Sequence, residues 1–542
     1  MSRLFSVGII FLMATPNLSL PLLAQDGYER QSAIDVISYD YTLLLSDSTD
    51  VIKGSADIAI RFTASTQDLW LELANEDKND LGMQLKEFSC KEADAGYEHQ
   101  KNRINIHLPQ KANAGDTIHF FMRYEGVPAD GLYISQNQYG QRTFFGDNWP
   151  NRAHQWLPCI DHPSEKATVS FRVFSPYKYQ VVANGRLVEE TNWDDSYRLS
   201  HWEEKTPISM KIAVIGVAPF AVRYERDVAG IPLSSWVYNR NREAGFIDYA
   251  EAEKVLSYFI SLLGPFPYEK LANVQSTTRY GGMENASCIF YNEKYISGKQ
   301  DQEEILAHEI AHQWFGDYVT EKDWLHIWLS EGFATFMEAH YLEYSQGPAA
   351  YALKLTNDRD KIIGDSNTLK TPILLREIKN YNSLLNTNSY EKSGWILYML
   401  RLKIGEEKFW KGLRNYLTKF AHANVLSQDF IQVMQESCGE NLQNFFDQWL
   451  LQAGIPHLQI SWSYNAMQKK ILLQVNQRQD GRFNFPLEIG LLMEGEEKLS
   501  RTEVLDINVR NASFSFSVSA KPAKLIVDPY VKLLAQWKIE AE

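Results

Sequence analysis

At 542 residues the chain is too long for one ordinary hydrophobic core, so two to four domains are expected. Its 44% hydrophobic and 13% aromatic content is globular, and nothing in it is collagen-like or low-complexity. A formal charge of −14, carried by acidic residues along the whole length, argues against nucleic acid as a partner and for a self-repelling soluble particle.

In chain order, the first segment is MSRLFSVGIIFLMATPNLSLPLLAQDG, with Arg3 ahead of an apolar run from Leu4 to Ala14 and then Pro16 and Pro21. The run covers only about half a bilayer, so residues 1–24 read as a secretory signal peptide cleaved near Ala24, with an uncleaved anchor as the alternative. Export to a periplasm or the exterior is the expectation, with no membrane span once the signal is removed, because no later stretch is long and apolar enough. From about residue 35 to 235 short alternating runs such as YDYTLLLS, ADIAIRF, TIHFFMRY and ATVSFRVF predict an N-terminal β domain over 25–235. The period then changes. Phe246, Val255, Leu256, Phe259, Leu262 and Leu263 recur at helical spacing before Gly264-Pro265, opening a mostly helical domain over 236–453. Inside it NVQSTTRYGGMENASCIFY is strand-like. Period two returns in HLQISWSYN, KKILLQVNQ and LEIGLLM, which predicts a small β-sandwich over 454–542. Cys90, Cys159, Cys288 and Cys438 form no C-x-x-C and are expected as buried free thiols.

The chemistry concentrates in EEILAHEIAHQWFGD. Asp301 followed by Glu304 predicts a capping box opening a helix. On that helix His308 and His312, four apart, project from one face and can reach a single zinc ion at about 2.0–2.1 Å. Glu309 points aside, towards a water at the metal rather than the metal itself. A third histidine is absent from the expected place, since Phe315 and Tyr318 stand where HExxHxxGxxH needs Gly and His. Glu331, 19 positions after His312 in a further amphipathic run, is the alternative third ligand. Two antiparallel helices bring it back to the first. Two His and one Glu leave a position open, the catalytic rather than the structural arrangement. Glu338 and Glu343 read as solvated, and Asp317 as either support for a ligand or an ordinary cap.

The segment from His308 to Tyr341 closely resembles the zinc-site segment of the aminopeptidase N family of metallopeptidases, the gluzincins, in which HEXXH is followed after 18 residues by Glu. GGMEN, Gly281 to Asn285, matches that family's GxMEN motif, and YEKSGWILYML from Tyr390 resembles its catalytic-tyrosine segment. Softer likenesses extend the resemblance over about residues 35–457. The resemblance implies a multidomain α+β architecture: an N-terminal β saddle domain, a thermolysin-like mostly helical catalytic domain and a C-terminal small β-sandwich. It also implies a shorter form lacking the helical C-terminal domain of the longest members, which leaves the enclosure of the substrate chamber open.

By matching positions the resemblance implies one Zn2+ per chain held by His308, His312 and Glu331, with Glu309 as general base and Tyr390 as oxyanion donor. Glu284 would grip the free α-ammonium of a peptide, with Gly281, Gly282, Met283 and Asn285 lining the backbone path. Gln136 and Gln138 fit a further amine-binding role by local similarity, Asp147 and Asn148 by distance to Cys159. The expected function is removal of N-terminal amino acids from peptides. The rivals are a catalytically silent peptide-binding relative, an endopeptidase sharing only the zinc helix, and a hydrolase of a non-peptide substrate on the same metal. Preferred first residue, substrate length and oligomeric state are not legible.

Overall fold

The computed structural model describes residues 26–541, so the expected signal peptide lies outside the described residues. Alternation of period two builds the N-terminal part. A seven-stranded sheet runs in the order Arg186–Asn192, Tyr197–Ile208, Ala167–Pro176, Ile34–Leu44, Ile52–Phe62, Thr117–Val127 and Gly82–Cys90. Its one parallel pairing joins Ile34–Leu44 to Ala167–Pro176, with Tyr41 opposite Phe171. Every second side chain, among them Tyr39, Tyr41, Leu43, Ile58, Ile60, Phe120 and Met122, turns into the core. A three-stranded and a four-stranded sheet complete this layer.

The expected boundary at residue 235 cuts through a strand. Leu233–Tyr238 pairs in parallel with Leu271–Ser276, and the catalytic region's five-stranded sheet is ordered Phe220–Tyr224, Leu233–Tyr238, Leu271–Ser276, Cys288–Asn292, Gly282–Met283. Two strands that alternate like their N-terminal predecessors therefore belong to the second domain. Periodicity reports that a segment is a strand, not which sheet it joins. Gly282–Met283 is the edge strand, antiparallel to Cys288–Asn292.

Helices α1 and α3 meet this sheet and the others stack on them and on one another: α1 Arg242–Tyr249, α2 Ala252–Leu263, α3 Glu303–His312, α4 Trp328–Gln346, α5 Pro348–Gly364, α6 Ser393–Ile404, α7 Glu406–Lys419 and α8 Ser427–Cys438. Phe246 lies on α1, so the single helical run expected there is two helices, the second ending at Gly264 with φ +111°. The Asp301 capping box does not form. Its carboxylate accepts from Ser297 Oγ at 2.6 Å and Gln302 Nε2 at 2.8 Å, and α3 starts without a side-chain cap. From His457 the chain forms a four-stranded and a three-stranded sheet whose inward residues include Leu458, Ile460, Ile471, Leu473, Leu487 and Ile489. All four cysteines are free thiols; three are buried and Cys90 is half-buried. No helix among the described residues is long and apolar enough to cross a membrane.

Candidate active site

Helix α3 presents His308 and His312 four residues apart, and α4, packed against it, returns Glu331 to the same point. Their facing atoms converge. His308 Nε2 and His312 Nε2 are 3.1 Å apart, and Glu331 Oε2 stands 3.5 Å from the first and 3.3 Å from the second. Glu331 Oε2 is buried and makes no well-aligned hydrogen bond. Three potential ligand atoms converging within 3.5 Å of one another fit a cation, and the donor set suits zinc.

The far sides of both rings are anchored, which presents each Nε2 inward. His308 Nδ1 donates to Glu338 Oε2 at 3.0 Å, and Lys354 holds that carboxylate at 3.2 Å. His312 Nδ1 lies 3.1 Å from both Phe315 O and Ser330 Oγ. Glu338, expected in solvent, is thus the residue that orients a ligand. Gly316, with φ +109°, passes so close that a Cβ would sit 2.1 Å from Ser330 Oγ and 3.2 Å from His312 Nδ1. Burial opposes ionisation of Glu331, but the two imidazoles outweigh it and hold its carboxyl well below the usual range. Burial likewise disfavours the charged His308 ring, and Glu331 and Glu338 overcome it, raising that ring well above its ordinary value.

Glu309 is buried beside the histidines, and burial pushes its carboxyl up to about 8 against the pull of both imidazoles. Its carboxylate abuts the edge strand: a Cβ on Gly282 would come within 2.1 Å of Glu309 Oε1. Glu309, Glu284 and His312 can bring one donor atom each within 4.8 Å of one another. Tyr390 lies on a single π-turn, Asn388–Lys392, ahead of α6, and its ring stacks on His308 at 6.0 Å and 13°. Burial first, then the carboxylates of Glu331, Glu284 and Glu309, raise its phenol well above the ordinary value, so it keeps its proton to donate.

Glu284 is 6% exposed, and its Oε1 has no partner among the described residues. Among the four N-terminal-domain candidates, Asp147 is a buried carboxylate near enough to feel the charge of Glu284. Asp147 is 1% exposed, pairs with Arg152 and leaves Oδ2 without a partner. Burial raises its carboxyl to about 7, Arg152 opposes that, and Glu284 is among the charges acting on it. Asn148 is committed to structure, donating to Met210 O and Ala213 O and accepting from Trp156 Nε1. Gln138 donates to Glu293 O and Asn241 Oδ1, and Gln136 is exposed at a strand end. Asp147 and Asn148, weighed by distance to Cys159, are thus buried, whereas Gln136 and Gln138, weighed by local similarity, lie at the surface. Gly281, Gly282, Met283 and Asn285 do line the edge strand and its exit; Asn285 is fully buried with both amide atoms unpartnered among the described residues.

Sequence reasoning missed Gln313 as well as Glu338. Gln313 follows the second ligand histidine. Its Nε2 donates to Glu284 O at 2.8 Å and Asp317 Oδ2 at 2.9 Å, while its Oε1 accepts from Ser287 N at 2.7 Å. Asp317 Oδ2 accepts from Gln313 rather than from a ligand histidine, and Lys166 Nζ of the N-terminal domain donates to its backbone carbonyl at 2.9 Å. A fully buried pair, Lys211 Nζ to Glu321 Oε1 at 2.6 Å, joins the two domains.

A two-His, one-Glu metal site on a helix pair, facing the edge strand of a small sheet under an N-terminal β domain, is the arrangement of a gluzincin-type metallopeptidase scaffold. Two family models agree: the peptidase family M1 domain matches residues 249–449 and the peptidase M1 N-terminal domain matches residues 36–210. The chain belongs to peptidase family M1. Glutamyl aminopeptidase of Sus scrofa is 27% identical over 490 residues, covering 82% of this chain and 50% of its own length. A protein named probable aminopeptidase 1 of Sulfurisphaera tokodaii is 25% identical over 460 residues, covering 81% of this chain and 57% of its own. The chain spans about half the length of the curated relatives it matches. Among solved structures, a mutant M1 zinc metallopeptidase from Deinococcus radiodurans shares the fold with a TM-score of 0.69 at 22% identity, covering 81% of this chain and 97% of its own. The same protein bound to a Tyr-Ser-Ala substrate gives 0.68 at 23% identity, covering 80% of this chain and 96% of its own.

Proposed function

We propose that this protein is a zinc-dependent aminopeptidase that removes single residues from the N-termini of peptides. The observation that carries the reading is the side-by-side placement of Glu309, next to the His308–His312–Glu331 cluster, and Glu284, a second buried carboxylate with an unpartnered oxygen. When bound, zinc supplies Lewis-acid polarisation of the scissile carbonyl and shifts the pKa of water towards about 7.

The side chains do the rest. Glu284 receives the α-ammonium, and the Asp147 carboxylate adds to the negative field there; a charge-assisted contact of this kind makes the enzyme count from the terminus. The edge strand Gly282–Met283 offers backbone groups to an extended peptide, and the missing side chain at Gly282 leaves room for Glu309. Glu309 accepts a proton from the attacking water and delivers it to the departing amine. The Tyr390 phenol donates to the oxygen that becomes negative in the transition state, a contact worth about 2.7–4 kcal/mol. The occupant of the cleft is a peptide with a free N-terminus, and the signal-like residues 1–24 support export.

The test is a panel of fluorogenic aminoacyl amides with their N-acetylated counterparts, with and without chelator. Free-amine substrates should be cleaved, blocked ones spared, and activity lost to chelator should return with zinc. Glu284→Ala should raise KM for the free-amine series far more than it raises the inhibition constants of the blocked series. Equal effects on both would remove the exopeptidase assignment.

A further inference from the structure

The amine anchor and the metal site lie on separate elements, and an exopeptidase needs the distance between them held to a fraction of a residue. Glu284 sits in the loop after the edge strand; His312 sits on the last turn of α3. One side chain spans the gap. Gln313, wholly buried, ties the carbonyl of Glu284 and the N–H of Ser287 to the residue immediately following a metal ligand, and bonds Asp317 through the same amide.

We infer that Gln313 is a positioning residue that fixes the amine anchor Glu284 relative to the metal ligand His312 and so sets the one-residue register of cleavage. The inference rests on the reading of Glu284 as the amine anchor.

The surroundings make Gln313 a strut rather than one bond among many. Ser287, at the far end of the loop, is clamped from the N-terminal domain: Gly185 N donates to its Oγ at 2.7 Å and that Oγ donates to Glu204 Oε2 at 3.1 Å. Asn184 Nδ2 holds Ala286 O at 2.6 Å, and Lys270 Nζ holds Ser287 O at 2.7 Å. Those four bonds fix the loop to the N-terminal domain and the sheet. Of the bonds named here, the two from Gln313 to Glu284 and Ser287 alone reach the metal-binding helix. Cutting them leaves the loop folded but free to shift against α3. A shift near 1 Å at a reacting centre costs on the order of 100-fold in rate.

The experiment compares zinc-loaded wild type with Gln313→Met, Gln313→Glu and the double variant Gln313→Glu/Asp317→Asn. KM and kcat are measured for an alanyl amide, the inhibition constant for its N-acetylated form, zinc content by elemental analysis, and binding of alaninamide to the metal-free proteins by calorimetry. Gln313→Met should keep about one zinc per chain, raise KM for the free-amine substrate by about tenfold or more, weaken alaninamide binding by a similar factor, and leave the inhibition constant of the blocked form unchanged. Gln313→Glu loses the donor to Glu284 O and sets a carboxylate against Asp317; adding Asp317→Asn relieves the second clash but not the first, so the double variant should fold, keep its zinc and still bind alaninamide about as weakly as Gln313→Met. Equal weakening of the free-amine and blocked compounds, unchanged alaninamide binding in Gln313→Met, or wild-type alaninamide binding in the double variant would overturn the strut. Failure of the wild type to cleave the free-amine substrate would instead defeat the aminopeptidase reading itself.

Discussion

His308 is specified from two directions: Nε2 faces Glu331 and His312, while Nδ1 is fixed by Glu338, 30 residues away in sequence. The first relation was legible, because ligand spacing of i and i+4 is a local property of a helix. The second was not, because it depends on how α4 lies across α3. The same division separates Tyr390, singled out by its motif, from Gln313, whose bonds appear only when the strand loop packs against α3. At this scale the firmest expectation concerns Glu309. Its carboxylate abuts Gly282 and lies outside the ligand trio, so Glu309→Gln should lower kcat by about 100-fold or more with zinc content near one per chain. Elemental analysis beside steady-state kinetics checks it; retained turnover would exclude this side chain as the base.

Elements set these distances. The α3–α4 pair brings ligands from two segments together, and the π-turn ahead of α6 carries Tyr390 to the face of His308. Lys354 on α5 bonds Glu338 on α4, so three helices support one imidazole. Glu338→Ala should therefore weaken zinc binding by about 10–100-fold without removing any ligand, read by competition with a chromogenic chelator. Wild-type affinity in that variant would mean that packing alone orients His308. The helical period announced α2 and its Gly264 stop correctly, yet it could not tell that α1 and α2 are separate. A break of two residues leaves the apolar spacing nearly intact. Nor could period two assign Phe220–Tyr224 and Leu233–Tyr238 to the catalytic sheet, since strand pairing is a long-range choice.

Across the whole molecule, buried charges knit the N-terminal and catalytic domains: Lys211 with Glu321, Lys166 on the Asp317 and Tyr318 carbonyls, and the strap in which Arg30 bonds Asp323. None of these pairs has a sequence signature, because each partner lies more than 100 residues from the other. Burial also stores a pH dependence in the N-terminal domain. Glu165 Oε1 accepts from Val36 N at 2.8 Å, and burial, opposed by that bond and aided by Asp35, raises its carboxyl from its ordinary value of 4.5 to about 7. With the folded value above the unfolded one, this group's contribution to stability is complete below about pH 4.5 and is lost as pH rises through about 7. Glu165→Gln keeps the acceptor and does not titrate. Relative to wild type it should gain about 2–3 kcal/mol between pH 4.5 and 8, read from urea unfolding at several pH values. Parallel pH profiles would contradict the buried-carboxyl account.

The account as a whole depends on two imidazoles and one carboxylate, drawn from two helices, sharing a single zinc ion. The most direct measurement is the zinc content of purified, zinc-loaded wild type against Glu331→Ala, with folding of both checked by circular dichroism. The account predicts about one zinc per chain in the wild type and a loss of most of it in the variant. Equal zinc in the two proteins, or none in a folded wild type, would contradict it.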